Sequence, residues 1–486
     1  MENFDQDLLS IQQARTLIRA AKSAQERLAT YSQEQVDSIC AAMAQAGFDH
    51  AEELARMAVN ETGFGRVEDK TLKNQFASQG VWASIKDLRT VGIIAERPEE
   101  GITEVGVPMG VIAGLVPTTN PTSTAIFKAI IAVKSGNALV LSPHPSAKAC
   151  TFAAARLMAE AGEKAGMPEG TVSCLEAPTM DATHELMTHD DVALILATGG
   201  NAMVKAAYSS GKPAIGVGPG NGPAFIERTA DIPLAVKHIL DSKTFDNGTI
   251  CASEQSVVTE DDIREAVVAE FVKQGGYFLA PAEKAAVGAI LMRASGTMNP
   301  AIVGQTAERI AEMAGIRVPE GTKVLLGYET EVGHQYPYSR EKLCTVLGFY
   351  SKPDWHTACE LCIKILKNEG AGHTMTIHSR DESVIREFAL KKPVSRLLVN
   401  TPASLGGVGA TTGLAPSFTL GCGAVGGNSS SDNIGPLNLI NIRRVARGRC
   451  ELSDLRAAQP ASTGEVLKDT DQLVRLIIEQ LMGAGV

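Results

Sequence analysis

Val111-Ile112-Ala113-Gly114-Leu115-Val116 and Ala138-Leu139-Val140-Leu141 are short runs that are apolar throughout, and residues 122–135 between them have helical spacing that ends at Gly136. The same alternation continues through apolar runs at 172–175 and 193–196 and helical segments at 146–165, 180–189 and 201–210. Strands that are apolar at every position are typical of parallel sheets covered on both faces by helices. This stretch therefore predicts an α/β domain of the nucleotide-binding type.

The segments before and after this stretch extend the fold. A second set of apolar runs, with helices between them, lies at 255–259, 323–326, 345–350, 374–378 and 397–400. Apolar residues at helical spacing predict helices over 7–30 and 32–46, the second beginning at Ser32. A hairpin over 91–107 and a late strand over 437–445 suit an oligomerisation arm.

This pattern predicts several regions along the chain. Residues 1–90 and 108–240 would form a Rossmann-like cofactor-binding domain, and residues 241–420 a catalytic α/β domain. Residues 91–107 and 421–446 would form the oligomerisation arm. Residues 447–486 would be a linker and then a helix over 471–482, in which apolar residues four positions apart form one apolar face.

The composition is that of an ordinary soluble protein. Of the 486 residues, 44% are hydrophobic and 21% are charged, and the net charge of −10 argues against a nucleic-acid or anionic-membrane partner. The acidic start at residues 1–7 is unlike a signal peptide, and no apolar run reaches the length of a membrane span. Nine cysteines without a secretory signal predict reduced thiols in a cytoplasmic protein. Cys359 and Cys362 share a predicted helix face, which favours packing over a metal site.

Cys251 is the strongest candidate for a catalytic residue. It lies between a loop that contains Gly248 and an apolar run that begins at Ser256. Such a loop lets backbone N–H groups approach the sulfur, and the strand holds the loop in place. A thiolate here could act as a nucleophile, and an oxyanion formed by its addition to an electrophilic carbon would require hydrogen-bond donors. A buried, inert cysteine is the competing interpretation.

Motifs in the same order along residues 5–447 resemble the aldehyde dehydrogenase superfamily. The resemblance is closest to its CoA-acylating branch, such as the aldehyde dehydrogenase half of bifunctional aldehyde–alcohol dehydrogenases. The motifs are Val116-Pro117-Thr118-Thr119-Asn120-Pro121, Ser142-Pro143-His144-Pro145, Ala197-Thr198-Gly199-Gly200, Gly216-Val217-Gly218-Pro219-Gly220-Asn221, the Cys251 segment, Arg340-Glu341-Lys342-Leu343, Gly370-Ala371-Gly372-His373-Thr374, Val399-Asn400-Thr401-Pro402 and Leu420-Gly421-Cys422-Gly423 through Gly427-Asn428. The resemblance implies an aldehyde dehydrogenase-like α/β fold that converts an aldehyde, CoA and NAD or NADP to acyl-CoA and reduced cofactor.

The resemblance also implies roles for individual residues. Cys251 would be the nucleophile, and the Asn120 side chain and Cys251 backbone N–H would bind the oxyanion, although Asn120 alone also fits a turn before Pro121. Hydrolytic relatives have a water-activating Glu where this chain has Gly216, so Gly216 and Gly218 would leave a passage for CoA. The residues expected to bind the cofactor are Thr118, Thr119, Ser142, His144, Pro145, Thr198, Gly199, Gly200 and Glu341.

The substrate and the partners are less closely determined. The family default is a short aldehyde such as acetaldehyde or propionaldehyde, but the polar stretch at residues 334–338 also suits an acidic aldehyde such as sulfoacetaldehyde or succinate semialdehyde. The chain could instead be a hydrolytic dehydrogenase or a non-enzymatic nucleotide-binding scaffold. We expect a homodimer or homotetramer without a metal. The C-terminal helix would dock on the protein itself or target a bacterial microcompartment by binding shell proteins.

Overall fold

The computed structural model describes residues 5–457 and 474–475. These residues belong to two compact units. The larger unit contains the residues up to 92 and residues 106–441, and the smaller unit contains residues 93–105 and those from 442 onward. Every residue predicted to form the active site lies in the larger unit.

The strands and α-helices follow one another in the α/β order that the sequence predicts. The strands are β1 (Gly92–Arg97), β2 (Ile102–Pro108), β3 (Val111–Val116), β4 (Ala138–Pro143), β5 (Val172–Cys174), β6 (Val192–Thr198), β7 (Ala214–Val217), β8 (Gly222–Ile226), β9 (Glu254–Glu260), β10 (Gly276–Phe278), β11 (Val324–Tyr328), β12 (Val346–Lys352), β13 (Gly372–His378), β14 (Val394–Val399) and β15 (Ile440–Ala446). The helices are α1 (Gln6–Leu28), α2 (Gln33–Asp49), α3 (Ala51–Thr62), α4 (Val67–Gln75), α5 (Val81–Ile85), α6 (Pro121–Lys134), α7 (Lys148–Lys164), α8 (Met180–Thr188), α9 (Asn201–Ser209), α10 (Ile232–Thr244), α11 (Arg264–Lys273), α12 (Pro281–Leu291), α13 (Ala307–Met313), α14 (Trp355–Asn368), α15 (Glu382–Lys391), α16 (Ala403–Gly407) and α17 (Leu452–Ala457).

The first sheet is parallel and has the strand order β5-β4-β3-β6-β7. Helices α2, α6 and α7 cover one face, and α1 and α8 cover the other. The chain passes from β3 through β4 to β5 and then returns to β6, so the strand order reverses between β3 and β6. In α/β sheets, ligands bind beside the carboxyl ends of strands at such a reversal.

Lys128 of the buried helix α6 holds these two strands together at their carboxyl ends. Its Nζ donates to Leu115 O at 2.6 Å and to Leu196 O at 2.7 Å. The Lys128 side chain thereby fixes the strand ends that lie next to the predicted cofactor loops.

The second sheet is also parallel and has the order β10-β11-β12-β9-β8-β13-β14. Helices α10 and α11 cover one face, and α14 and α15 cover the other. Cys251 lies three residues before β9, at the amino end of this central strand. Its loop is therefore attached to a strand that is buried along its whole length.

The smaller unit contains the predicted hairpin and most of the predicted late strand. β1 and β2 are neighbours joined by a turn at residues 98–101, and β15 lies beside β2. Arg444 Nε on β15 donates to Glu104 Oε1 on β2 at 2.9 Å. Residues 421–441, which were expected in the arm, are grouped with the larger unit. The oligomerisation role of this sheet stays a prediction.

The prediction of an α/β fold with parallel sheets is confirmed. Ser32 begins α2 as predicted, because its side chain accepts from Gln35 N while the Gln35 side chain accepts from Ser32 N. The strands β7, β8 and β10 were not predicted from the sequence. Each of these short strands contains a glycine, which weakens the strand pattern.

Cys359 and Cys362 lie buried on α14, in agreement with the packing role expected for them. No group of three His, Cys, Asp or Glu side chains in the described part of the chain could hold a metal ion. Across the same residues, no helix is long and apolar enough to cross a membrane. The helix predicted over 471–482 lies outside the described residues, apart from 474–475.

Candidate active site

A cavity of about 470 Å³ lies between the carboxyl ends of the first sheet and the loop that carries Cys251. It is lined by residues 116–120 after β3, 142–145 at the end of β4, 198–200 at the end of β6 and 217–219 at the end of β7. Of the predicted site residues, those that line this cavity are Cys251, Asn120, Thr118, Thr119, Ser142, His144, Pro145, Thr198, Gly199, Gly200, Gly218 and Glu341. Gly216 is the exception.

The Cys251 loop follows a tight 3-10 turn with an unusual backbone. Asp246 and Asn247 have φ values of 49° and 52°, a left-handed conformation that Asp and Asn tolerate better than most residues. Asp246 is held in this turn because its N–H donates to Asp69 Oδ2 at 2.8 Å and its Oδ1 accepts from Arg66 N at 2.8 Å. The turn directs the chain so that Cys251 faces the cavity.

The Cys251 thiol is protonated in the resting protein. Burial, followed by the nearby Glu341 and Cys422, raises the pKa of the Cys251 thiol to about 12, against opposing effects of Arg396 and of the backbone N–H of Cys251. That N–H favours negative charge at the sulfur, so it is a candidate donor to an oxyanion formed there.

Asn120 is both the residue before α6 and a side chain of the cavity wall. It caps α6 with its backbone, but its side chain makes no hydrogen bond to the start of that helix. The amide Nδ2 instead donates to Thr119 Oγ1 at 3.1 Å and to Thr249 O at 3.3 Å. The position of Asn120 at the start of α6 therefore does not occupy its side-chain amide. A stronger hydrogen-bond acceptor in the cavity could take the Nδ2–H that is now donated to Thr249 O over 3.3 Å.

The start of α9 offers an open approach to backbone N–H groups. No side chain caps this helix, which begins after Gly200. A Cβ on Gly200 would meet no heavy atom within 4 Å, and a Cβ on Gly199 would meet its nearest neighbour, Met203 Cβ, at 3.7 Å. A helix start of this kind fits the phosphates of a dinucleotide.

The far wall of the cavity is polar but uncharged. Ser142 and Thr183 share a hydrogen bond of 2.9 Å between their hydroxyl groups. His144 Nδ1 accepts from Ser146 N at 3.2 Å, and burial lowers the pKa of His144, so its ring is neutral at pH 7. This wall can offer hydrogen bonds to a ribose without placing a charge beside it.

Glu341 connects the two sides of the cavity. Its Oε1 accepts from Gly220 N at 2.8 Å, and burial together with Glu369 raises its pKa to about 8. Gly220 must be glycine, since a Cβ there would lie 1.9 Å from Cys251 O. The carboxyl group of Glu341 is thus anchored to the loop that packs directly on Cys251.

The sequence model of the aldehyde dehydrogenase family matches residues 7–339. The chain belongs to the aldehyde dehydrogenase family. Over 443 residues, 90% of its length, it is 47% identical to the bifunctional aldehyde-alcohol dehydrogenase AdhE of Escherichia coli strain K12. That match covers 50% of the longer protein, so the chain spans about half the length of the first curated relatives that it matches.

Solved aldehyde dehydrogenase structures superpose on most of the chain. An acetylating aldehyde dehydrogenase from Geobacillus thermoglucosidasius has a TM-score of 0.91 and 53% identity, over 92% of this chain and 99% of the other. A propionaldehyde dehydrogenase from Rhodopseudomonas palustris, solved with bound CoA and an acylated cysteine, has a TM-score of 0.81 and 27% identity, over 89% and 97%. These similarities confirm the predicted aldehyde dehydrogenase-like fold.

Gly216 does not line the cavity. It is inside β7, and a Cβ there would point at α9, 2.7 Å from Val204 Cγ1 and 2.9 Å from Tyr208 Cε2. Alternate residues of a strand face opposite sides, so the cavity is lined by Val217 and the loop after it instead. Gly218 does line the cavity, and the atom nearest to a Cβ placed on Gly218 would be Asn201 Oδ1, at 3.8 Å.

His373 is a candidate functional residue for which no role was predicted from the sequence. Its ring is fully buried, its Nδ1 lies 2.9 Å from Thr374 Oγ1, and its Nε2 has no partner. Burial and Arg396 lower the pKa of His373 to about 3, so the ring is neutral. A Cβ on Gly220 would lie 3.5 Å from its Cγ, which places the ring behind the Cys251 backbone. The sequence feature that could have pointed to His373 is the pair of glycines just before it, Gly370 and Gly372.

Proposed function

We propose that the protein is a CoA-acylating aldehyde dehydrogenase with the reaction RCHO + CoA-SH + NAD(P)+ → RCO-S-CoA + NAD(P)H + H+. The observation that supports this most directly is one cavity that joins Cys251 and Asn120 to the open start of α9. Residues 216–220 contain no carboxylate that could activate water there. A thioester on Cys251 would therefore persist until a thiol reaches it.

Cys251 forms and releases the covalent intermediate in this proposal. Its thiol releases a proton to solvent, the H+ of the overall reaction, as the sulfur adds to the aldehyde carbon, and the Asn120 Nδ2 and the Cys251 N–H stabilise the resulting oxyanion. NAD+ or NADP+ supplies the hydride acceptor when bound. Cys251 then carries an acyl group, which the CoA sulfur attacks, and the carbon–sulfur bond to Cys251 breaks to release a thiolate.

The released Cys251 thiolate is the candidate acceptor for the CoA thiol proton. Because the pKa of the Cys251 thiol is raised to about 12, the thiolate takes up the proton that CoA gives up, and the thiol is restored. His373 packs beside the Cys251 backbone, and its Nε2 has no other partner. With its pKa lowered to about 3, however, the ring is too weak a base to hold that proton at neutral pH.

The cofactor residues fit a nicotinamide dinucleotide in its two chemical parts. The start of α9 at Gly199 and Gly200 suits the pyrophosphate, and the uncharged wall at Ser142 and His144 suits the adenosine ribose. Glu341 would bind the nicotinamide ribose, with Thr118 and Thr119 beside the nicotinamide. Ser142 and the neutral His144 place neither a positive nor a negative charge beside the ribose that could select between NAD and NADP. We therefore propose that the enzyme accepts either cofactor.

The walls around Cys251 favour a small uncharged aldehyde. They are apolar and are formed by Ile250, Met298, Leu343, Val408, Phe418 and Leu420. Among the described residues that line the cavity, none is Lys or Arg, and the polar stretch at 334–338 contributes none of the lining. An acetaldehyde or propionaldehyde type of substrate therefore has more support than sulfoacetaldehyde or succinate semialdehyde.

A substrate panel with and without CoA tests the proposal. Acetaldehyde, propionaldehyde, succinate semialdehyde and sulfoacetaldehyde are each supplied with NAD+ or NADP+, and reduced cofactor and acyl-CoA are measured. We expect sustained turnover only with CoA, and without CoA a burst of up to one reduced cofactor per active site. Equal rates of free-acid release without CoA would indicate a hydrolytic enzyme, and no reduced cofactor in any mixture would favour a binding scaffold.

Assembly and location are separate parts of the proposal. β15 is exposed along most of its length, so we infer that the small sheet pairs with another copy to give a homodimer or homotetramer. Light scattering on a variant that lacks residues 93–105 tests this. Removal of residues 465–486 tests microcompartment targeting, for which we expect an active enzyme of unchanged size that no longer binds shell proteins.

A further inference from the structure

Helix α4 brings two lysines into the protein interior beside the Cys251 loop. Lys70 and Lys73 are only 2% and 3% exposed. The Lys70 Nζ donates to Asp246 Oδ2 at 2.9 Å, and the Lys73 Nζ pairs with the same oxygen. Asp69 completes the cluster by accepting from Asp246 N. Neither lysine was predicted from the sequence to belong to the site.

The two lysines differ in what else they contact. The Lys70 Nζ donates to the backbone oxygen of Thr119 at 3.0 Å. The Lys73 Nζ donates to the side-chain oxygen of Asn120, Oδ1, at 2.5 Å, and lies 3.4 Å from Thr249 Oγ1. Lys73 therefore contacts the amide that would bind the oxyanion, whereas Lys70 contacts only the backbone next to it.

The contact with Lys73 fixes which end of the Asn120 amide faces the cavity. An ammonium group can only donate, so the atom next to it must be the amide oxygen. The amide nitrogen then lies on the other side, near Thr119 and Thr249 at the cavity wall. A cation on the amide oxygen also draws electron density from the nitrogen, which makes its N–H groups stronger donors.

We propose that Lys73 is a positioning residue that orients and polarises Asn120 for oxyanion binding. This inference rests on the proposed function, in which Asn120 donates to the oxyanion. Asp246 holds Lys73 in place, and the 3-10 turn that carries Asp246 also carries the chain to Cys251. One buried ion pair thus connects the nucleophile loop to the oxyanion donor.

A double-mutant cycle tests the proposal. The rate constant for the first reduced cofactor is measured in single turnovers without CoA for Lys73→Met, Asn120→Ala and the double variant. We expect Lys73→Met to lower this rate constant by about 10- to 100-fold, less than loss of the donor itself. In the Asn120→Ala background the same change should have no more than about a twofold effect, because residues that act as a unit are not additive.

The alkylation rate of Cys251 distinguishes a specific loss of oxyanion binding from a general structural defect, because a general defect would change this rate as well. The Cys251 thiolate displaces iodide from the methylene carbon of iodoacetamide, and no oxyanion forms in this reaction. Cys251 of the Lys73→Met variant should therefore be alkylated at the wild-type rate, and the variant should keep its cofactor affinity. Lys134→Met is the matched control. Lys134 is a fully buried lysine of α6 that pairs with Asp37 away from the cavity, and its loss should leave the single-turnover rate unchanged.

Each result decides between specific interpretations. Normal single turnover in Lys73→Met, or losses that multiply in the double variant, would overturn the proposal and leave the oxyanion role of Asn120 intact. Normal turnover in Asn120→Ala would overturn that part of the proposed function and this inference with it. If Lys73→Met does not fold, Lys73→Gln keeps a neutral hydrogen-bond donor beside Asp246 and leaves the Lys70–Asp246 pair intact. This variant should fold and still lower the single-turnover rate, because the charge on the Asn120 oxygen is lost, and normal turnover in it would overturn the proposal.

Discussion

The two α/β halves present opposite ends of their strands to the cavity. In the first sheet the lining residues follow the carboxyl ends of β3, β4, β6 and β7. In the second sheet, Gly220, Cys251, Glu341 and His373 lie before or at the amino ends of β8, β9, β12 and β13. The rule that ligands bind at the carboxyl ends of parallel strands therefore locates the cofactor side and would misplace the nucleophile.

The halves also differ in the titratable groups around the cavity, although the first half buries Lys70, Lys73 and Lys128 behind it. The first half meets the cavity with hydroxyl groups, glycines and a neutral histidine. Behind Cys251 the second half buries Glu341, Lys243 and Lys342, where burial raises the pKa of Glu341 to about 8 and lowers those of the lysines to about 8 and about 7. A cofactor can be bound through the shape of the cavity and backbone N–H groups without buried ionisable side chains. The reactivity of the Cys251 thiol, in contrast, depends on the charges of the ionisable side chains near it.

The sharpest test of this division is to remove the thiol. Cys251→Ala should abolish turnover and leave the affinity for NAD+ or NADP+ nearly unchanged, because none of the proposed cofactor contacts involves the Cys251 side chain. Cofactor binding is measured by fluorescence titration and turnover by reduced cofactor. Cys450→Ala, at an exposed cysteine, is the control. More than a trace of CoA-dependent activity in Cys251→Ala would contradict the assignment of the nucleophile.

Asn120 lies on the first half but serves the chemistry of the second. Asn120→Ala should lower the single-turnover rate by about 10²- to 10³-fold, the usual effect of losing one oxyanion donor. The cofactor affinity should change little. A loss of only a few-fold would mean that Asn120 acts chiefly as the residue that begins α6.

The division explains which parts were predictable from the sequence. The first sheet has apolar strands separated by helices that stop at glycine, so the succession of strands and helices along the chain could be predicted, whereas the strand order within the sheet was not predicted. β7 and β8 could not be predicted, because Gly216 and Gly222 interrupt their apolar pattern. The direction in which Gly216 points could not be predicted either, since a glycine-rich loop pattern carries no information on the side that a residue faces, and its role in a CoA passage stays a prediction.

The buried charges were the least predictable part of the site. Lys73 lies in a charged segment of α4, and charge in a helix usually indicates a solvent-exposed face. Its partner Asp246 is 173 residues away in sequence. No local pattern joins the two, so only the three-dimensional structure shows that the lysine is buried against Asn120.

The pH dependence of Cys251 alkylation tests the reactivity of the second half directly. With the thiol pKa raised to about 12, pH 7 and pH 9 both lie below it. The thiolate fraction then increases about tenfold per pH unit, so the rate with iodoacetamide should increase by up to about 100-fold over this range without cofactor. A rate that reaches a plateau by pH 8 would show that the thiol pKa is near 7.

Gly216 and Gly218 are a matched pair of glycines, of which Gly216 packs against α9 and Gly218 lines the cavity. Gly216→Ala places a Cβ 2.7 Å from Val204 Cγ1 and should reduce the free energy of unfolding by about 1–3 kcal/mol. Gly218→Ala meets nothing closer than 3.8 Å and should keep wild-type stability. Urea denaturation measures both. Equal stability of the two variants would mean that β7 can move away from α9.

The smallest effect is expected from Glu341, which touches both halves. Its pKa is about 8, so it is mostly neutral at pH 6.5 and mostly ionised at pH 9, where its charge raises the pKa of Cys251. Glu341→Gln should therefore increase the alkylation rate by about three- to tenfold at pH 9 and by less than about twofold at pH 6.5. Glu369→Gln is the opposing variant: loss of Glu369 lets Glu341 ionise at lower pH, which should slow alkylation near pH 7. An increase in Glu341→Gln that is the same at both pH values would show that the side chain acts by packing and not by charge.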